Sequence, residues 1–582
     1  MLVFDKSNVK RSTFIIICFL TSATILRFLI SNWLGVWYYS HAGHDDVLMI
    51  NYSVFVNHFR FPNYRSLVKT IAYPIFLNVV HFSGLSLPIV ITIVWLFAAI
   101  TIVCLFKLFT NSKFFLAFTY LFVLFTPIAF ELNVGTRIYR NAIMPPFYFI
   151  LFGFILIVSF GSIKNALTLK WSFILNLVLA MVFLFTYYIN ESGLWLLPCL
   201  FLGIIVSIIH TIYWYVKRSV KRKRTLIIAI FFLLIPLFTF KLGTELYQRV
   251  NYRFFGVAEI TTRTNGELGD FVNHIYRIYS PNRTSSIWAP YDAIEKAFEV
   301  SETLHFHPQL KEAIFHTDWF SGDIRTNPIK GDFLTWVLRS ALNNTGMWTS
   351  EREVSDLFTS VNSDLREAFE TGRLSRDNRI QINSAAGGRT RYELWDLRYS
   401  LTQSYRSFFL LDGYAPGGRM TNDRRFRPSE LTQFITNVSV AEDHPSAISI
   451  QRRTINFANG IVLVLFGVYR IVNPIIGVTA ILGIGFTTFL LLRKKCNEKK
   501  YLNLLILLTA IGLTLIGALY ALAIGWFAEF IWENLENHYE QLPSMRALYM
   551  NFYGTGIIPL FSIAVLLGNY LLFDGVKHIW KK

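Results

Sequence analysis

Cysteine and acidic residues are scarce in this chain of 582 residues, and each shortage excludes a class of protein. Only four cysteines occur, and none of them lies in the long polar stretch between residues 244 and 456. That stretch is therefore not a domain cross-linked by disulfide bonds. The 37 Asp and Glu residues are outnumbered by 55 Lys and Arg residues, and charged residues make up only 16% of the chain. This composition excludes a disordered, highly charged protein.

Apolar residues are abundant instead. The chain is 53% hydrophobic and 16% aromatic, with a mean hydropathy of +0.42, which is typical of a polytopic membrane protein. About ten apolar segments reach the roughly 20 residues that a bilayer crossing needs. These segments are Ser12–Tyr38, Leu87–Phe106, Phe114–Phe130, Ala142–Phe160, Trp171–Ile189, Leu194–Val216, Thr225–Gly243, Pro474–Leu492, Leu502–Trp526 and Met550–Phe573. The predicted fold class is an α-helical polytopic membrane protein.

Basic residues orient these predicted spans. Lys and Arg cluster in alternate loops, most densely at residues 217–224 and 493–500. Because such loops stay cytoplasmic, both termini are predicted in the cytoplasm, with the first span retained rather than cleaved. The same loops hold much of the basic excess behind the net charge of +18, so no nucleic-acid partner is expected.

Three regions follow from this topology. Residues 1–243 form a core of seven spans whose first extracytoplasmic loop, residues 39–85, is unusually long. Residues 244–456 form a mostly helical extracytoplasmic domain, inserted between the seventh and eighth spans. Residues 457–582 contain an interfacial helix and three C-terminal spans.

An acidic pair, Asp45 and Asp46, follows the first span directly and is preceded by His44. Carboxylates at the rim of a bilayer lose hydration and tend to be functional. The residues after the pair have helical spacing and predict a helix along the membrane surface, whose N-terminus one Asp could cap. A second acid beside a histidine exceeds what capping needs. The pair is therefore interpreted as holding a general base, without a choice between its two members.

The second extracytoplasmic loop combines Glu131, Arg137, Tyr139 and Arg140 within ten residues. The planar fork of an arginine suits phosphate oxygens, on which negative charge grows when a lipid phosphate leaves. The alternative is that both arginines pair with Glu131 or reach lipid headgroups.

Weaker candidates lie at two other loops. Glu191, beside tyrosines and a tryptophan, is a candidate contact for sugar hydroxyls, although interfacial aromatic residues are common. Arg546 is a candidate second phosphate ligand, unless it pairs with nearby glutamates. Three histidines between residues 305 and 316 lack zinc-ligand spacing. No cofactor is required by these patterns, and a divalent metal on the acidic pair is left open.

The position of His44-Asp45-Asp46 resembles the GT-C superfamily of integral-membrane glycosyltransferases, which use polyprenyl-phosphate sugars. In that superfamily a long first extracytoplasmic loop carries an essential Asp or Asp/Glu pair just after the first span. The resemblance covers residues 1–243. The large domain between the seventh and eighth spans departs from many relatives, which carry it after the last span. Residues 331–374 resemble a segment of bacterial proteins of this kind.

The resemblance implies an inverting transfer of sugar at the extracytoplasmic face of the bacterial inner membrane. The partners would be a polyprenyl-phosphate sugar donor, an envelope glycan or glycolipid acceptor, and membrane lipid. Arg137 and Arg140 would hold the phosphate while one acid activates the acceptor. Three alternatives stay open, namely a lipid-linked glycan transporter or flippase, a polysaccharide polymerase or ligase, and a non-catalytic envelope protein.

Overall fold

The computed structural model describes most of the chain. The described residues are 6–41, 43, 45–54, 59, 62–217, 223–319, 322–382, 386–421, 423–424, 426–440, 444–493, 498–538 and 550–579. Helices account for nearly all of the regular structure in these ranges, whose β pairing consists of isolated bridges. The predicted α-helical fold class is confirmed.

Ten helices in the described part of the chain are long and apolar enough to cross a membrane. They are Phe14–Leu34, Leu87–Lys107, Lys113–Phe130, Met144–Ile163, Leu169–Tyr187, Gly193–Lys217, Lys223–Phe255, Pro445–Leu492, Lys500–Ala528 and Ile557–Lys577. The protein is thus a multi-pass membrane protein. The fourth helix is the most enclosed and packs against the second, fifth and sixth, so it forms the centre of the bundle.

Three helices extend well past the predicted spans. The ninth, Glu498–His538, ends twelve residues beyond the predicted Trp526. The seventh begins near the predicted residue but continues to Phe255, twelve residues beyond the predicted end at Gly243. The eighth belongs to a single helix, Pro445–Arg493, which includes the residues predicted to form a separate interfacial helix. Pro474 lies in the interior of this helix. Each helix therefore extends past the roughly 30 Å thickness of a bilayer core.

Residues 256–444 lie between these two long helices, and we call them the insert. Its helices are Gly266–Arg277, Tyr291–Val300, Glu302–His305, Pro308–Phe315, Leu334–Asn344, Glu351–Glu370, Arg391–Asp396, Arg398–Leu410 and Glu430–Thr436. Trp288, Phe271 and Phe358 belong to a hydrophobic core that the insert forms largely by itself. One tryptophan of the insert, Trp336, is buried instead in the core of the membrane bundle. The insert is therefore packed onto the bundle.

The described part of the first long loop contains two helices, Asp46–Ser53 and Ala72–Ser83. The first has only eight residues and is largely buried, so the predicted helix is present and its apolar side chains pack inside the protein. Asp45 occupies its N-cap position, yet its side chain makes no capping hydrogen bond within the described residues. Capping therefore does not explain the acidic pair.

Candidate functional site

The backbone brings the acidic pair beside the segment that follows the third span. Gly35 ends the first helix in the left-handed conformation, with a φ of +65°, which glycine adopts at little cost. Two residues later, Trp37 accepts a hydrogen bond from the Ile138 amide at 2.9 Å and donates one to the Thr136 carbonyl at 3.0 Å. This short parallel pairing places Arg137 against the chain that leads to Asp45.

Asp46 is completely buried and holds Arg137 in a bidentate ion pair. The Nη2 atom of Arg137 lies 2.6 Å from Oδ1, and its Nε atom lies 3.0 and 3.1 Å from the two carboxylate oxygens. The Tyr39 amide donates to Oδ2 at 3.0 Å. Burial alone would lower the pKa of Arg137, but the Asp46 carboxylate reverses this and leaves the pKa raised. Both carboxylate oxygens of Asp46 are thus engaged by protein donors.

Asp45 is held differently, since its side chain is 40% exposed. Its Oδ1 atom accepts hydrogen bonds from Lys69 Nζ and from the Tyr139 hydroxyl, each at 3.0 Å. Burial opposes ionisation here, yet the charges of Lys69 and Arg137 outweigh it and lower the pKa of Asp45 below its usual range. Asp45 is therefore an ionised carboxylate that remains accessible.

Lys69 is a site residue that the sequence analysis missed. Its side chain is only 4% exposed, and burial lowers its pKa against the opposing charge of Asp45. A single lysine in the apolar run from Leu67 to Leu77 is a signal that could have revealed it, because such a charge is costly to bury without a partner.

A second ion pair joins Arg140 to Glu191, with 2.6 Å between Nη1 and Oε1. Burial opposes ionisation of Glu191, but Arg140 and Lys69 lower its pKa to about 2. The Nε atom of Arg140 is buried and has no hydrogen-bond partner among the described residues. The predicted residues Glu191 and Arg140 therefore do lie together, although as an ion pair.

The insert adds a fourth cation, Arg263, which the sequence analysis also missed. Its guanidinium pairs with Asp332, and the charges of Glu191, Arg140 and Asp45 all act on it, so it lies close to the other ion pairs. Its Nε atom is likewise buried without a hydrogen-bond partner among the described residues. No local sequence pattern marks Arg263, because only the packing of the insert brings it here.

We call these four ion pairs the charge cluster. It comprises Asp45–Lys69, Asp46–Arg137, Glu191–Arg140 and Asp332–Arg263. Tyr139 lies between the first three pairs, and its ring stacks on Phe552 with 5.8 Å between centroids. The cluster combines one accessible carboxylate with several buried guanidinium and ammonium donors.

Glu131 does not join the charge cluster. It is fully buried, and its Oε2 atom accepts hydrogen bonds from the amides of Asn133 and Val134 at 2.7 and 2.9 Å. Burial raises the pKa of Glu131 to about 8, so it is largely protonated at neutral pH. The alternative in which it pairs with Arg137 and Arg140 is not observed, and Glu131 instead stabilises the turn that precedes them.

Two predicted residues, His44 and Arg546, lie outside the described residues. Within the described ranges, no group of three or more His, Cys, Asp and Glu side chains is arranged to hold a metal ion. Comparison of the chain with known protein families, curated proteins and solved structures finds no match.

Proposed function

We propose that the protein is a membrane glycosyltransferase of the GT-C type. It would move a sugar from a polyprenyl phosphate to an envelope glycan or glycolipid at the extracytoplasmic face of a bacterial inner membrane. The observation that supports this most directly is Asp45, an accessible carboxylate surrounded by buried cations. That combination suits a reaction in which one group takes a proton while others hold a departing phosphate.

The geometry favours Asp45 over Asp46 as the base. A base must offer an oxygen to the hydroxyl that it deprotonates, and Asp45 is 40% exposed whereas Asp46 is fully buried. Both oxygens of Asp46 already accept hydrogen bonds from Arg137. Asp46 is accordingly a positioning residue, and Arg137 orients the loop rather than binding the phosphate, which revises the role expected from the sequence.

Lys69, Arg140 and Arg263 are the proposed phosphate ligands. The buried Nε atoms of Arg140 and Arg263 have no hydrogen-bond partner among the described residues, and an unpaired buried donor is costly. A phosphate oxygen would supply the missing acceptor, and an arginine fork matches its geometry.

The transfer itself would be a single displacement. The acceptor hydroxyl oxygen attacks the anomeric carbon while its proton passes to Asp45. The bond between that carbon and the phosphate oxygen breaks, and the lipid phosphate leaves with the electron pair. Because attack and departure occur on opposite faces, the anomeric configuration is inverted.

The test uses the purified full chain in lipid nanodiscs, given a polyprenyl-phosphate sugar or a nucleotide sugar with envelope glycolipids as acceptors. Transfer from the lipid-linked donor is expected. Asp45→Asn should lower its rate by about two orders of magnitude or more, because a positioned base contributes that much. A matched control is Asp356→Asn, which changes a carboxylate 74% exposed on the insert and should leave the rate unchanged.

Three results would contradict the proposal. Turnover with a nucleotide sugar alone would place the protein in another class of glycosyltransferase. Movement of the lipid-linked sugar across the membrane without transfer would indicate a flippase. Full activity in Asp45→Asn would remove the assigned base.

A further inference from the structure

One helix of the insert, Arg398–Leu410, packs against the last three membrane spans. A Cβ atom on Gly525 of the ninth span would collide with the side chain of Ser400, so these two helices touch closely. The ring of Tyr405 stacks on Phe561 of the tenth span, with 5.2 Å between centroids and an interplanar angle of 15°. This helix is therefore fixed to the membrane bundle itself.

These contacts set the level of the helix relative to the membrane. Gly525 lies four residues before Glu529, the first charged residue after the apolar run of the ninth span. Phe561 lies four residues after Ile557, where the tenth span begins. The loop between these two spans is on the same side as the insert, because two crossings separate them. At 1.5 Å per residue, each contact lies about 6 Å inside the end of its span, so the helix follows the membrane boundary.

The side of this region that is turned away from the spans carries three exposed aromatic residues, which we call the aromatic stripe. Tyr392 is 89% exposed, Trp395 is 70% exposed and Tyr399 is 48% exposed. The first two belong to the preceding short helix, Arg391–Asp396. Leu397 joins the two helices with helical backbone angles, φ −59° and ψ −18°, so the helical spacing continues through it. Separations of three and four residues therefore place the three rings on one face.

Arg398 holds two of these rings in place. Its guanidinium carbon lies 4.9 Å from the ring centroid of Trp395 and 4.5 Å from that of Tyr399. Its Nη2 atom donates to the Tyr399 hydroxyl at 3.0 Å, and its Nη1 atom donates to the Trp395 carbonyl at 3.0 Å. Asp396 lies 3.8 Å from Nη1. The aromatic stripe is thus an organised surface.

The exposed face continues from the aromatic stripe to the lipid-facing surface of the bundle. It runs through Thr402 and Arg406 to Leu410, which is 50% exposed. The carbonyl of Leu410 accepts a hydrogen bond from Arg470 Nε of the eighth span at 3.2 Å. The next residue of that span, Ile471, is 65% exposed, as expected for an apolar side chain that faces lipid.

We propose that the aromatic stripe lies among the headgroups of the membrane phospholipids and anchors the insert to the bilayer. Tryptophan and tyrosine rings have an apolar body and a polar edge, so they concentrate where hydrocarbon meets water. At the level that the contacts with the ninth and tenth spans define, lipid covers the apolar surface that water would otherwise meet. This anchor goes beyond the transfer reaction and does not depend on it.

A spin label measures the depth of the aromatic stripe. The label is attached to a single cysteine in the full chain, whose four native cysteines are changed to alanine, in lipid nanodiscs. Tyr392→Cys keeps Trp395 in place. The matched control is Phe306→Cys, at a 77% exposed aromatic residue beside the helix Glu302–His305, which packs on other helices of the insert. The label at residue 392 should collide more with oxygen, which concentrates in the bilayer, than with a water-soluble nickel chelate. The label at residue 306 should show the reverse.

A charge placed in the aromatic stripe tests its contact with headgroups. Trp395→Glu should lower the unfolding temperature in nanodiscs, and the loss should grow when phosphatidylglycerol replaces part of the phosphatidylcholine, because the new carboxylate meets anionic lipid. Trp395→Tyr keeps an amphipathic ring and should match the wild type. Phe306→Glu should show no dependence on the lipid.

Three results would overturn the anchor. A label at residue 392 that behaves like the label at residue 306 would place the aromatic stripe in water. A label that neither reagent reaches would mean that protein covers this face, such as a second copy of the chain. A loss of stability in Trp395→Glu that is equal in both lipids would show that no headgroups lie beside Trp395.

Discussion

The two adjacent acids of the charge cluster should differ sharply when each is changed to asparagine. Asp46 is fully buried and pairs with the nearly buried Arg137, whereas Asp45 is 40% exposed and pairs with the buried Lys69. Removing one partner of a buried ion pair typically costs about 3–5 kcal/mol, because the other charge stays buried and uncompensated. Asp46→Asn should therefore destabilise the fold strongly, because Arg137 cannot lose its charge. Asp45→Asn should cost less, because burial already lowers the pKa of Lys69 and this side chain can release its proton once the carboxylate is gone.

The orphaned charge of Arg137 is the physical cause of this difference, and a double variant isolates it. Asp46→Asn combined with Arg137→Gln leaves no unpaired charge, so its cost should be lower than the sum of the single costs by at least about 1 kcal/mol. The assay is thermal unfolding of all variants in one detergent, ranked against the wild type. Equal destabilisation by Asp45→Asn and Asp46→Asn would refute the reasoning, as would strict additivity with Arg137→Gln.

Two further predictions concern the surroundings of the charge cluster. Folding raises the pKa of the Glu131 carboxyl from 4.5 to about 8. The protonated carboxyl therefore stabilises the protein fully below pH 4.5, and this contribution is lost as the pH rises through 8. Glu131→Gln should abolish this pH dependence of stability. Melting temperatures across this range measure the effect, and parallel curves for variant and wild type would contradict it. Arg339→Met should leave Glu351 buried without its cation, which should lower the free energy of unfolding by about 3–5 kcal/mol. It also removes the hydrogen bonds from Arg339 to the carbonyls of Tyr64 and Ser66, so a protease should cut faster where the insert meets the first long loop. Unchanged proteolysis would show that Arg339 does not anchor the insert.

Hydropathy predicted the membrane part of the fold well because each crossing needs a long apolar run, which the sequence shows directly. It could not predict where helices continue outside the apolar core. The helix Lys223–Phe255 extends into a segment rich in polar residues, and Pro445–Arg493 begins long before its apolar run. Proline at position 474 suggested a boundary, but a helix supported by neighbours tolerates an internal proline.

The candidate site was predictable only in part, for a similar reason. Asp45, Asp46 and the arginines lie at the ends of apolar runs, where a charge is conspicuous in the sequence. Their pairing depends on backbone register, which matches Arg137 to Asp46 through the bridge at Trp37, and no spacing rule encodes that match. Arg263 is contributed by the insert, more than two hundred residues after the acidic pair in the chain. Such a contact exists only once the tertiary structure has formed.

In the charge cluster every cation has a carboxylate partner, and this has a consequence for how a phosphate would bind. A phosphate that binds here would compete with Asp45 for Lys69, because the Asp45 carboxylate lies 3.0 Å from Lys69 Nζ. If Lys69 turned toward the phosphate, its charge would no longer lower the pKa of Asp45, so this pKa would rise and Asp45 would become a better base.

Donor binding would thus activate the base, and Asp45→Asn should separate the two effects. The variant removes a competitor for Lys69, so it should bind polyprenyl phosphate more tightly, by about threefold to tenfold for a partly exposed ion pair, while transfer is lost. Lys69→Gln should weaken the same binding and serves as the opposite control. Dissociation constants measured in nanodiscs with polyprenyl phosphate alone decide the matter. Weaker binding in Asp45→Asn would mean that the carboxylate favours phosphate binding instead of competing with the phosphate for Lys69. That result would contradict the proposed activation of Asp45 by donor binding.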